Sequence, residues 1–98
     1  MSEFDAKGID EVIHGRLRLG VMAHLTQASP APFTELAQSL GATNGNLSVH
    51  LSKLEQAGYV TIDKGFSGKR PLTRVSLTEA GREAWDRYLD TLRTLFPQ

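Results

Sequence analysis

The chain has 98 residues, 40% of them apolar and 22% charged, which is the length and balance of one ordinary globular domain with no room for a second core. It contains no cysteine, and that excludes disulfide scaffolding, thiolate metal sites, thiol redox sensing and cysteine nucleophiles. Eleven basic and eleven acidic residues cancel, yet from Thr43 to Ser76 five bases stand against two acids, so a neutral chain carries one basic third able to meet phosphates.

Residues 1–8 are polar around a single Phe4 and read as a flexible arm before one domain over 9–96. Acids near the start argue against a secretory signal, and the uncharged stretch Leu19 to Thr34 carries two prolines and a histidine, which rules it out as a membrane span. A cytoplasmic location is expected. From Ile9, apolar residues through Val12, Ile13, Leu17, Val21, Met22 and Leu25 recur at helical spacing. Gly15 and Gly20 interrupt this first helix: it either breaks near His14-Gly15 or allows another element to pack closely there. Pro30 and Pro32 end it, and a short extended segment follows at 31–33. Thr34 is expected to cap a two-turn second helix that Gly41 stops; Thr43 caps a third helix running to Ala57, with Gly58 beyond.

After Gly58 the period changes. Val60 and Ile62 alternate with Thr61 and Asp63, a turn-rich stretch spans Gly65 to Pro71, and a second alternating run covers Arg74 to Leu77. This is a β-hairpin with a long basic tip. Thr78 caps a last helix to about Phe96. The expected class is mainly α with a small β-hairpin, in the order α-α-α-β-β-α.

A short helix joined through Gly41-Ala42 to a longer one is the helix-turn-helix pattern. With Leu47, Leu51 and Leu54 toward the core, Thr43, Asn44, Asn46, Ser48, Val49, Ser52 and Lys53 are left to solvent. Asparagine pairs with adenine, serine donates or accepts, a small aliphatic meets thymine methyls, and lysine meets phosphate. The hairpin adds Lys64, Lys69, Arg70 and Arg74 where a ribbon reaches phosphates or the minor groove beside the helix. These eleven residues are the expected contacts of a sequence-specific regulator with double-stranded DNA. The competing expectation is a protein-binding adaptor of the same shape, which calls for a large apolar patch on the third helix.

Arg18-Leu19 with Val21-Met22, Phe33-Thr34-Glu35-Leu36-Ala37, Asn46-Leu47-Ser48-Val49-His50-Leu51, Leu54-Glu55-Gln56-Ala57-Gly58-Tyr59-Val60 and Leu77-Thr78-Glu79-Ala80-Gly81-Arg82 together resemble winged helix regulators of the MarR/ArsR superfamily, in their compact form. The resemblance implies a dimeric transcription factor with its third helix in the major groove and phosphate contacts on the wing. The chain lacks the long outer helices of full MarR proteins and any cysteine pair, so no effector carries over. Independently, the apolar residues Ile9, Ile13 and Leu17 of the first helix and Trp85, Tyr88, Leu89, Leu92, Leu95 and Phe96 of the last exceed what so small a core needs, and predict a homodimer interface.

His14, His24 and His50 are read as helix residues rather than ligands, since Asp10 and His14 supply at most two ligands from one chain. No metal or cofactor is expected. Neither a nucleophile elbow nor a phosphate loop occurs, and no enzymatic activity is expected.

Overall fold

The computed structural model describes Asp10 and residues 12–95; Ile9, Phe96 and the expected arm over 1–8 lie outside the described residues. The elements are α1 (Arg16–Gln27), β1 (Ala31–Pro32), α2 (Phe33–Leu40), α3 (Asn44–Gln56), β2 (Val60–Ser67), β3 (Arg70–Leu77) and α4 (Glu79–Arg93). The three strands form one antiparallel sheet in the order β1-β3-β2. β1 is the short extended segment, paired through Ala31 with Val75 and Pro32 with Arg74.

The first helix starts at Arg16, seven residues later than expected. A separate single turn precedes it: Asp10 Oδ1 accepts from the amides of Val12 (2.9 Å) and Ile13 (3.3 Å), while its carbonyl accepts from His14 N–H (2.8 Å). These are the bonds of a capped single turn, and the break comes after it, at Gly15, whose extended backbone (φ 178°, ψ 146°) does not continue the turn into α1. Gly15 then stands as the N-cap. The second glycine realises the other option, close packing, because a Cβ on Gly20 would lie 2.6 Å from Leu40 Cδ2. α2 also starts differently. Pro32 is its N-cap and Thr34 makes no capping bond, since proline supplies the extended residue before a first turn that lacks acceptors for its amides anyway.

Thr43 and Thr78 do cap. Asn46 N–H donates to Thr43 Oγ1 at 3.1 Å, and Gly81 N–H to Thr78 Oγ1 at 2.9 Å. Gly41 (φ 62°) and Gly58 (φ 82°) take the left-handed conformation that closes α2 and follows α3. The α2–α3 connection is held by Ala42 N–H donating to the Ala37 carbonyl (2.9 Å). The core gathers Leu17, Val21, Met22 and Leu25 of α1, Leu36 of α2, Leu47, Leu51 and Leu54 of α3, Val60 and Val75 of the sheet, and Ala84 and Tyr88 of α4.

Four contacts fix the base of the hairpin. Thr78 Oγ1 donates to the Gly58 carbonyl (2.6 Å), Thr78 N–H to the Tyr59 carbonyl (3.0 Å), Leu77 N–H to Ser29 Oγ (2.8 Å) and Tyr59 O–H to Asp10 Oδ2 (2.6 Å). Gly81 is required there, because a Cβ would collide with the Tyr59 carbonyl oxygen. Burial, then the bond to Asp10 and its charge, push the Tyr59 hydroxyl up to about 12. No helix among the described residues is long and apolar enough to cross a membrane.

Candidate nucleic-acid interface

The hairpin is more regular than its composition suggests. In place of a long loop from Gly65 to Pro71, β2 and β3 pair continuously from Val60↔Leu77 to Ser67↔Arg70, leaving Gly68-Lys69 as a two-residue tip. Gly68 has φ 64°, and among the described residues no non-glycine residue has positive φ, the arrangement of a type II′ hairpin turn. Pro71 is tolerated because β1 stops at Arg74 and leaves β3 an edge strand farther out.

Alternation along this ladder sorts the basic residues. Val60, Ile62, Lys64 and Phe66 share one side of β2, and their cross-strand partners Leu77, Val75, Thr73 and Pro71 share it on β3. Ile62, Lys64 and Thr73 face α3 across a groove of about 590 Å³, whose other lining residues are Phe33, Ser48, Leu51, Ser52 and Glu55. Arg74 lies on the opposite side of the ribbon, half-buried, between Pro32 and Asp63 in the sheet. Its direct cross-strand neighbour is thus an acid. Lys69 and Arg70 sit exposed at the tip.

On α3 the buried residues are Leu47, Leu51 and Leu54, and at 100° per residue the remaining faces divide. Ser48, Ser52 and Glu55 turn toward the wing and line the groove. Val49 points outward, 55% exposed. Asn46 and Lys53 lie exposed on the side away from the wing, and Asn44 is exposed in the first turn. Thr43 is exposed and its oxygen is engaged as the cap. The expected contacts are therefore distributed over three faces of one helix and two sides of one ribbon.

His50, also away from the wing, is held below its ordinary value by burial and by the charges of Arg18 and Lys53. Its Nδ1 and Arg18 Nε are buried without a hydrogen-bond partner. The other histidines tie elements together: His14 Nδ1 lies 3.0 Å from the Tyr88 hydroxyl, and His24 Nε2 lies 2.7 Å from Glu35 Oε2, linking α1 to α2. His14 stands before α1 in the Asp10 turn, not on a helix. Among the described residues no three His, Asp or Glu side chains converge.

Sequence reasoning missed Phe66 and Thr73. Phe66, 69% exposed, is with Val49 one of two large apolar side chains exposed among the described residues. Its signal was the two-residue spacing Ile62, Lys64, Phe66, which the glycines and proline around it concealed.

The apolar surface expected for a partner copy is reduced. Ile13, Leu17 and Tyr88 are buried in the core of a single chain and offer nothing to a second one. Periodicity marks a residue as buried without saying by what. Trp85, stacked on Tyr88 with ring centroids 6.0 Å apart, is half-buried, as are Leu89, Leu92 and Leu95.

The family model described as "Winged helix DNA-binding domain" matches residues 17–96. An uncharacterised protein of Methanocaldococcus jannaschii is 32% identical over 79 residues, covering 81% of this chain and 86% of its own. The structure of a transcriptional regulator homologue from Pyrococcus horikoshii OT3 superposes with a TM-score of 0.82 at 34% identity, covering 88% of this chain and 85% of that one. A MarR family transcriptional regulator from Silicibacter pomeroyi superposes at 0.69 with 25% identity, over 85% of this chain and 55% of that one. With its helix-turn-helix, its two-stranded wing and this match along nearly its whole length, the chain belongs to the winged helix DNA-binding domain family of transcriptional regulators.

Proposed function

We propose that the chain reads duplex DNA sequence with α3 in the major groove, while the phosphate strand bordering that groove runs between α3 and the wing. The observation that carries this reading is the groove itself. Ser48 and Ser52 on one wall and Lys64 and Thr73 on the other are phosphate-binding side chains, set beside a helix face whose first acid is Glu55. Asn44, Asn46, Ser48 and Val49 occupy the early turns of α3, the part of a recognition helix that meets base edges. Lys69 and Arg70 extend the contact beyond the strand. Arg74 is the weakest of the expected contacts, turned away from the groove and beside Asp63. The adaptor reading lacks its surface, since on α3 Val49 alone is a large exposed apolar side chain.

One helix and one wing cover few base pairs, so the reading includes a homodimer bound to two half-sites about one helical turn apart. The half-buried row Trp85, Leu89 and Leu92 along α4 is the surface that would join the copies.

Selection of bound duplexes from a randomised pool tests the reading. A symmetric motif is expected from the parent, with Asn46→Ala relaxing one or two positions and weakening the best site by about 1–3 kcal/mol. A pool with no enriched sequence would sink it. Sedimentation at micromolar concentration tests the dimer separately: a monomer binding an asymmetric site one-to-one removes the dimer alone.

A further inference from the structure

We propose that Phe66, with Pro71 across the ladder, is an apolar wedge that enters the DNA minor groove at a flexible pyrimidine–purine step beside the bases read by α3. The inference rests on the DNA-binding reading and goes beyond its phosphate and major-groove contacts.

Position comes first. Phe66 lies on the same side of β2 as Ile62 and Lys64, and Ile62 and Lys64 both line the groove against α3. A strand rises about 3.3 Å per residue, so Phe66 stands ~6.6 Å farther out than Lys64 along the wing. The minor groove is about 6 Å wide. A phosphate strand lying at Lys64 and Thr73 thus leaves Phe66 and Pro71 over the groove on its far side.

Chemistry agrees with position. Phe66 is 69% exposed, its ladder partner Pro71 is exposed as well, and no acid occurs from Lys64 to Arg74. A lone exposed apolar residue would mean nothing by itself. An aromatic and a proline directly opposite one another, flanked by Lys64, Lys69 and Arg70, combine the side-chain types that pry open base steps with cations that hold the neighbouring phosphates. Steps such as TA and CA/TG unstack most readily, so the wedge adds sequence preference where no hydrogen bond reads a base.

The test uses the duplex selected by the parent, with 2-aminopurine at the flanking step. Phe66→Ala should bind about tenfold more weakly or worse, keep the parental salt slope because no charge is removed, and lose the fluorescence rise that reports unstacking in the parent. Phe66→Leu should retain part of both. Repeated selection with Phe66→Ala should lose the pyrimidine–purine preference at the flank. Parental affinity and fluorescence in Phe66→Ala overturn the wedge and leave DNA binding standing. So does a loss of affinity that follows a sedimentation shift, which would place Phe66 against a second copy. If the parent enriches no duplex, the DNA-binding reading falls and the wedge with it.

Discussion

The two ends of the hairpin are the same ladder put to opposite uses. At the base, Val60 and Val75 are buried, and Thr78, Ser29, Tyr59 and Gly81 fasten the strands to Gly58 beyond α3, to the α1–β1 connection, to α4 and to the turn at Asp10. At the tip, Phe66, Ser67, Lys69, Arg70 and Pro71 are exposed, and none belongs to the core or packs against it. The backbone pairing is equally regular at both ends. The difference therefore lies wholly in what the side chains meet; on the proposed function, substitutions at the base should act on stability and those at the tip on DNA binding.

Gly81→Ala should give the largest effect. Its added methyl meets the Tyr59 carbonyl, a backbone atom that cannot swing aside, and overpacking of this kind costs about 1–3 kcal/mol. Thermal unfolding should show a drop of roughly 4–8 °C for each kcal/mol lost. An unchanged melting temperature would mean that the base is not clamped. Replacing Lys69 and Arg70 together by alanine should do the reverse, flattening the log–log salt dependence of binding by ~1.8 with stability within about 0.5 kcal/mol of the parent. Equal binding at every salt concentration would remove the tip from the DNA contact.

Glu55→Gln sharpens the comparison between the base and the groove above it. This carboxylate lines the proposed phosphate path, where repulsion at contact distance in water amounts to about 1 kcal/mol. A gain of a few-fold in affinity at low salt is expected, fading at ~1 M salt; a loss would show that Glu55 positions a partner rather than repelling phosphate. The smallest effect concerns pH. His50 is held below its ordinary value by burial, then by Arg18 and Lys53, so the unfolded chain binds the proton more readily than the folded one. Its contribution is intact above about 6.5, the unfolded value, and is lost as pH falls through the lower folded value. Melting scans from about pH 8 to 5 should show this fall, and His50→Gln should reduce it; an identical profile would assign the acid sensitivity elsewhere.

Sequence legibility followed the range of the interactions. The caps at Thr43 and Thr78 and the left-handed Gly41 and Gly58 are local devices, and each sits where its residue type predicts. The start of α1 differs because periodicity runs on from Ile9 through the Asp10-capped turn, whereas the extended backbone at Gly15 separates that turn from the helix. The wing differs from the expected long loop because Gly65, Gly68 and Pro71 resemble a loop until the opposite strand is present. The solvent-facing residues of α3 are identifiable from the spacing of Leu47, Leu51 and Leu54. That Ser48 and Ser52 face the wing, with Asn46 and Lys53 on the other side, depends on where the hairpin lies in space. Ile13, Leu17 and Tyr88 show the same limit, being apolar at helical spacing and filled by the chain's own core.

The uninterrupted pairing up to a two-residue tip also constrains how such a wing changes length in evolution. One residue added to each strand beyond Ile62 would exchange inner and outer faces from that point on, carrying Lys64 and Phe66 to the side now held by Asp63 and Gly65. Two residues on each strand restore the alternation. Insertions that keep the inner face should therefore arrive four residues at a time, each lengthening the reach by ~6.6 Å, so wing length in descendants of this sequence should vary by whole steps rather than continuously.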